Sequence, residues 1–245
     1  MNKKLITLLV LTVLVSSYNL LVADDVKEPA APVPAKSASP DHLIYLTGNE
    51  AAWKNFPLKP ALGSPVDQGD LLITLSAQAN RTDAQKAEAE HDKTYAITLV
   101  TETIDPAFET KYPDVFEVLK KADNDEHYVN SKLKNENQRP RPFVQHPLLV
   151  TPLFTVKDWS YPSGHSSGSE LQARLLGLLF PDKANDLLNR ARQIADSRVV
   201  AGVHYASDTE FGQSLGDIVF DELEASAKFK QDFAAAAAKD GIPLK

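Results

Sequence analysis

The sequence predicts an all-α protein, a single-domain helical bundle, and three observations point to that class. Apolar residues recur at helical spacing in several separate segments of the chain. The segment rich in β-branched residues, Tyr95 to Thr103, has no partner strand or hairpin turn nearby. The 245 residues, 43% hydrophobic and 24% charged, suit one globular domain with a full core.

Two segments precede the predicted folded domain. Residues 1–23 place Lys3 and Lys4 before an apolar stretch that ends in small residues, which predicts a secretory signal peptide and a periplasmic or secreted protein. An uncleaved N-terminal anchor is the alternative. Residues 24–40 are rich in Pro and Ala and predict an extended linker. The catalytic domain is then expected at 41–245.

The domain itself is predicted as a succession of helices. Apolar spacing predicts one long helix from Gly69 to Asp92, with a possible break near Asn80. Without a partner strand, the segment Tyr95 to Thr103 is interpreted as a buried helix. Further helices are predicted at Pro113 to about Lys134, Ser166 to Phe180, Asp182 to about Ile194 and Ser207 to about Ala238.

Composition and charge exclude several function classes. A formal net charge of −7 makes nucleic acid an unlikely partner, and beyond the N-terminus no apolar run is long enough for a membrane span. The absence of Cys excludes disulfides and Cys-based metal sites. No metal site is expected either from the histidines outside the motifs, which lack ligand spacing: His42, His91, His127 and His146.

Three short motifs concentrate the chemistry between residues 130 and 210. They are Lys134-x6-Arg141-Pro142-Phe143, Tyr161-Pro162-Ser163-Gly164-His165 and Ser197-Arg198-x5-His204-x3-Asp208. Taken alone, the first motif could be a solvated basic loop. Its prolines at 140 and 142, however, predict a rigid, extended stretch.

The second motif has the features of an anion site. A Pro-Ser-Gly turn that leads into a helix at Ser166 would direct unpaired backbone N–H groups and the Ser163 hydroxyl at an anion. Gly164 would let the backbone come close, because it has no side chain.

The third motif predicts a nucleophile. His204 and Asp208 are four residues apart and would share one face of a helical turn. The carboxylate could then hold one ring nitrogen while the other acts as a nucleophile. A capping or packing pair is the alternative interpretation.

Together the motifs resemble the three-part signature of the phosphatidic acid phosphatase type 2 superfamily, and in particular its soluble branch, the bacterial class A non-specific acid phosphatases. The resemblance implies an all-α fold, with His204 as the nucleophile and Asp208 orienting it. It implies that His165 is the general acid for the leaving alcohol and then the base for water. No metal or other cofactor is expected. The residues that would hold the phosphate oxygens are Lys134, Arg141, Ser163, Gly164 and Arg198.

The first motif allows two registers. Lys132-x6-Arg139-Pro140 has the same spacing as Lys134-x6-Arg141-Pro142. We choose Lys134 and Arg141, because the family's Arg-Pro is followed by Phe. Arg139 could still add to the electrostatic field.

The resemblance implies a broad-specificity acid phosphatase that hydrolyses phosphate monoesters through a phosphohistidine, with a phosphotransferase side activity and a homo-oligomeric state. A vanadium-dependent haloperoxidase is one alternative, although that family usually has a longer gap between Lys and Arg. A non-catalytic periplasmic phosphate-binding protein is another, but binding alone would not need two histidines and Asp208. Substrate choice is expected to depend on residues 94–130, for which the sequence gives no mechanism.

Overall fold

The computed structural model describes residues 43–48 and 50–243, so the predicted signal peptide (1–23) and linker (24–40) lie outside the described residues. The described part of the chain is helical and contains no strand, which confirms the all-α prediction. A 3-10 turn at Pro181–Lys183 precedes α9. In chain order the helices are α1 (Ala51–Lys54), α2 (Pro65–Asn80), α3 (Asp83–His91), α4 (Thr98–Thr101), α5 (Phe108–Lys111), α6 (Pro113–Asn137), α7 (Pro142–Gln145), α8 (Gly164–Leu179), α9 (Ala184–Val200), α10 (Ala206–Ala225) and α11 (Ala227–Lys239).

The helix predicted at 69–92 is divided into α2 and α3, near the expected break. It starts earlier than predicted, because the Ser64 side chain caps α2 by accepting a hydrogen bond from the Asp67 amide. The interruption is fixed at Thr82, whose hydroxyl and backbone form a capping box with Gln85.

Three other element predictions need correction. The helix predicted at 207–238 is two helices, because Ser226 has extended backbone and caps α11. The helix predicted at 95–103 is the single turn α4. The stretch after Arg141 is not extended, because Pro142 occupies the first position of α7, where its missing N–H costs nothing.

Helix α8 lies at the centre of the bundle and packs against α6, α9 and α10. Its leucines at 171, 175 and 176 are fully buried. Helix α10 approaches α8 at two glycines: a Cβ on Gly212 would lie 2.6 Å from the Ser163 carbonyl oxygen, and one on Gly216 would lie 2.5 Å from that of Ser167. This close contact fixes the start of α8 beside the start of α10.

The long helix α6 ends at a left-handed residue, Gln138, with φ 49°. The chain therefore turns sharply after α6, and Lys134 and Arg141 come to the same end of the bundle. Among the described residues, no helix is both long and apolar enough to span a lipid bilayer.

Candidate active site

A cavity of about 330 Å³ opens where the ends of these helices meet. Six of the eight predicted site residues line it: Lys134, Arg141, Gly164, His165, Arg198 and His204. They come from the last turn of α6, the segment before α7, the first turn of α8, the last turn of α9 and the loop before α10. The fold thus brings together residues from all three motifs.

His204 precedes α10 and does not lie on a helical turn with Asp208, as the spacing predicted. Asp208 is the third residue of α10, and its Oδ2 caps that helix by accepting from the Tyr205 amide at 2.9 Å. The loop still brings the two side chains together, with His204 Nδ1 3.3 Å from Asp208 Oδ2. The carboxylate therefore combines the capping role and the predicted orienting contact.

The hydrogen bonds of His204 fix its tautomer. Arg141 donates from Nη1 to His204 Nε2 at 2.7 Å, and a guanidinium has no acceptor. In the neutral ring, Nε2 therefore carries the lone pair and Nδ1 carries the proton that faces Asp208. The Nε2 lone pair is the nucleophilic one, and it becomes free to attack when a ligand takes over the Arg141 N–H that it now accepts.

Asp208 is anchored on its other side by Arg139. The Arg139 guanidinium donates to Asp208 Oδ1 at 2.7 Å and also pairs with Asp67 and Asp70. It is 2% exposed and is not part of the cavity wall. Arg139 therefore neutralises buried carboxylates. The residues that face the cavity are Lys134 and Arg141, which belong to the register that we chose from the sequence.

Burial and positive charge lower the pKa values of the basic side chains around His204. Burial, followed by the charges of Arg141, Lys134 and Arg198, holds the pKa of His204 well below its usual value. Burial lowers the pKa of Lys134 to about 8 and, together with Arg141, that of Arg198 to about 9. Such a cluster of cations would be stabilised by a bound anion.

His165 faces the cavity with a free ring nitrogen. Its Nε2 is buried and has no hydrogen-bond partner, while the ring also bonds to the backbone of Asp92. Burial, then Arg198 and Arg141, lower the pKa of His165 to about 3. The ring is therefore neutral near pH 7, and its Nε2 is available to a ligand.

Ser163 lies behind the cavity wall rather than in it. Its Oγ caps α8 by accepting hydrogen bonds from the Ser166 amide at 3.3 Å and the Ser166 hydroxyl at 3.0 Å. The capping bonds use the oxygen as an acceptor and leave its O–H free to donate, so the predicted contact of Ser163 with a phosphate oxygen stays a prediction. Gly164 remains at the wall.

Asp158 is a cavity residue that the sequence analysis missed. Its carboxylate bonds to Arg141 and lies 3.3 Å from Lys134 Nζ. The two cations hold its pKa below the usual range despite burial. Asp158 is two residues before Ser160, whose hydroxyl donates to Asp208. Its position just before the second motif was its only sequence signal.

Further missed residues lie at the opposite end of the cavity. Tyr95, Asp123, Glu126 and Asn130 line that end and fall within residues 94–130. Asp123, Glu126 and Asn130 share one face of α6, at spacings of three and four residues, and Tyr95 comes to them from the loop before α4. Their helical spacing was a sequence signal, but no known motif singled it out. Among the described residues, no group of three or more His, Asp or Glu side chains could hold a metal ion.

The sequence of this chain is similar to known proteins. Residues 126–220 match the family model of the PAP2 superfamily. The chain is 33% identical over 112 residues to a non-specific acid phosphatase of Salmonella typhi (44% of this chain, 45% of that protein), and 32% identical over 131 residues to an acid phosphatase of Zymomonas mobilis (51% and 48%). The match thus spans about half the length of these relatives. A non-specific acid phosphatase of Providencia stuartii is 23% identical over 212 residues, covering 82% of this chain and 85% of that protein.

Solved structures support the fold. A transmembrane PAP2-type phosphatidylglycerolphosphate phosphatase from Bacillus subtilis aligns with a TM-score of 0.51 at 21% identity, over 67% of this chain and 87% of that one. A bacterial vanadium-dependent iodoperoxidase aligns with a TM-score of 0.57 at 16% identity, over 84% and 63%. At these identities the likeness establishes a shared helical architecture.

Proposed function

We propose that this chain, which carries a domain of the PAP2 superfamily at residues 126–220, is an acid phosphatase that hydrolyses phosphate monoesters. One observation carries the proposal: three buried cations surround an imidazole that a buried carboxylate holds in its nucleophilic tautomer. The cations suit the oxygens of a phosphate, and the imidazole suits attack at its phosphorus.

The first step forms a bond between His204 Nε2 and phosphorus while the bond from phosphorus to the ester oxygen breaks. The leaving oxygen takes a proton from His165, whose Nε2 is unpartnered in the cavity. Lys134, Arg141 and Arg198 neutralise the charge on the transferred group. Asp208 stabilises the positive charge that develops on the His204 ring.

The second step regenerates the imidazole. His165 accepts a proton from water, the water oxygen bonds to phosphorus, and the bond from phosphorus to His204 breaks. Inorganic phosphate then leaves. An alcohol in place of water would complete a phosphotransfer, which is the side activity that a phosphohistidine permits.

An acidic pH dependence follows from the state of His165. Burial and the neighbouring arginines lower the pKa of this ring to about 3 and keep it neutral, but the acid step needs its proton. A bound phosphate group raises the pKa by offsetting the neighbouring cations, and a monoanionic ester can bring the proton with it. A bell-shaped rate profile with its maximum on the acidic side is therefore expected.

Hydrolysis of p-nitrophenyl phosphate at pH 5–7 in the presence of EDTA tests the proposal. We expect wild-type activity that EDTA leaves intact and that His204→Ala abolishes. Lys134→Ala should also reduce turnover severely, whereas Lys132→Ala, which lies outside the cavity, should not. Inactive wild type, or an active His204→Ala, would contradict the assignment and make iodide oxidation with added vanadate the next assay.

A further inference from the structure

The cavity has two chemically different ends. The cationic end, where Lys134, Arg141 and Arg198 stand around His204, accounts for a phosphate group. The opposite end, here called the carboxyl wall, is formed by Asp123 and Glu126 and has no role in the phosphoryl transfer described above.

Hydrogen bonds fix both carboxyl groups of the wall. The Tyr95 hydroxyl donates to Asp123 Oδ1 at 2.6 Å. The Ser167 hydroxyl donates to Glu126 Oε1 and itself accepts from Asn130 Nδ2 at 3.0 Å. These contacts tie the wall to α6 and α8, the two helices that also supply Lys134 and His165. Both carboxyl groups are therefore held in place by neighbouring side chains.

The wall lies beside His165, the proposed acid for the leaving group. In the proposed mechanism the leaving oxygen takes its proton from His165 Nε2, so the alcohol departs past that residue. The Tyr95 ring packs edge-on against His165, with centroids 5.6 Å apart, and its hydroxyl reaches Asp123. A leaving alcohol that extends past His165 therefore meets the carboxyl wall.

We propose that the carboxyl wall of Asp123 and Glu126 is a leaving-group subsite that favours phosphate esters of amino alcohols over esters whose alcohol carries a carboxylate. The inference rests on the proposed phosphatase function and adds the substrate class to it. Among the described residues neither carboxyl group forms an ion pair, so an ammonium group at the wall could pair with them, whereas a carboxylate would be repelled.

The charge state of the wall agrees with this assignment. Burial, together with the neighbouring Asp123, raises the pKa of Glu126 to about 8, and burial raises that of Asp123. The titratable groups that line the cavity around them are Tyr95, His127, His165 and Lys134. The charges of Lys134 near Glu126 and of His127 near Asp123 offset the cost of burial only in part, and a bound ammonium group would stabilise the ionised pair further.

The test compares three series of esters with alkyl chains of two to four carbons: ω-aminoalkyl, unsubstituted alkyl and ω-carboxyalkyl phosphates. The wild type should show a kcat/KM at least about tenfold higher for amino than for carboxy esters at the chain length that reaches the wall. The esters also differ in the intrinsic reactivity of their leaving groups. This difference cancels when the ratio of kcat/KM for amino and carboxy esters is compared between the wild type and the variants.

Glu126→Gln and Asp123→Asn keep the shape of each side chain and remove its ability to ionise when an ammonium group binds. Each should lower the amino-to-carboxy ratio by about threefold or more, with a smaller change for the unsubstituted esters. Glu117→Gln, an exposed residue on the same helix, removes the same charge outside the cavity and should leave the ratio unchanged.

The outcomes separate the two proposals. An ester ratio that is near one in the wild type, or equal in wild type and both variants, overturns the subsite while His204-dependent hydrolysis of the unsubstituted esters leaves the phosphatase intact. Failure to hydrolyse any ester, including p-nitrophenyl phosphate, overturns both.

Discussion

At the scale of single residues, the site contains an internal competitor for its ligand. The Asp158 carboxylate occupies Lys134 and Arg141, the cations proposed to hold phosphate. A phosphate group must share or displace these contacts when it binds. Part of the binding energy is therefore spent on exchanging one anion for another.

We predict that Asp158→Asn binds inorganic phosphate more tightly, with a competitive inhibition constant lower by about three- to tenfold, because one competing charge is removed. Inhibition of p-nitrophenyl phosphate hydrolysis measures this constant. Asp105→Asn, which breaks an ion pair with Lys111 on the surface, serves as the control and should not change it. An unchanged or weaker inhibition by phosphate in Asp158→Asn would mean that Asp158 positions the cations instead of competing for them.

Residue-level reasoning from the sequence identified the cavity-lining cations and both histidines, because their motifs are compact. It could not identify the partners that reach them from a distance. Arg139 pairs with Asp70, which is 69 positions away, and no local pattern links the two. The sequence also predicted the Ser163 hydroxyl as a phosphate ligand, whereas in the structure its oxygen accepts a hydrogen bond from the first turn of α8.

At the scale of helices, the catalytic geometry depends on how closely α10 approaches α8. Gly212 lies against the Ser163 carbonyl oxygen, directly behind Gly164 and His165. The backbone at this contact has little freedom to move, since both helices are buried there. A side chain at 212 would displace the start of α8 and with it His165.

We predict that Gly212→Ala lowers the free energy of unfolding by about 1–3 kcal/mol through overpacking and lowers kcat as His165 shifts. Gly69→Ala is the matched control, because Gly69 is also in a helix but a Cβ there meets no atom within 4 Å. It should stabilise the protein by about 0.5–1 kcal/mol without affecting kcat. Denaturant unfolding and steady-state kinetics measure both effects, and equal behaviour of the two variants would contradict the packing argument.

The helices themselves were predictable where apolar spacing is long and regular, as in α6, α8 and α9. The ends of the helices were harder to predict, because a single capping residue decides where each helix begins. Ser226 divides the last predicted helix although Ala-rich sequence continues on its far side, and its cap bond to the Phe229 amide has no strong sequence signal. The carboxyl wall was located only as part of residues 94–130. Asp123 and Glu126 share a face of α6 by spacing, but their partners Tyr95 and Ser167 reach them through tertiary packing.

At the scale of the whole molecule, the site makes folding stability depend on pH. His165 has a normal pKa in the unfolded chain and a pKa of about 3 in the fold. As pH falls below about 6.5, the unfolded chain gains a proton that the folded chain does not, so this residue's contribution to stability is lost. Above that pH the contribution is complete.

We therefore predict that the stability of His165→Asn, relative to that of the wild type, increases steadily as the pH is lowered in phosphate-free buffer. Between pH 8 and pH 5 the difference in unfolding free energy should move by about 2 kcal/mol in favour of the variant. Urea unfolding at several pH values measures it. A difference that stays constant with pH would show that His165 titrates normally in the folded protein.

The central claim is that His204 accepts the phosphoryl group, and trapping the intermediate tests it most directly. Wild type and variants would be mixed with p-nitrophenyl phosphate at acidic pH, quenched in alkali, digested and analysed by mass spectrometry. The account predicts a phosphoryl group on the peptide that contains His204, more of it in His165→Asn because water attack is slowed, and none in His204→Ala. A phosphoryl group on another residue, or hydrolysis that persists in His204→Ala, would contradict it.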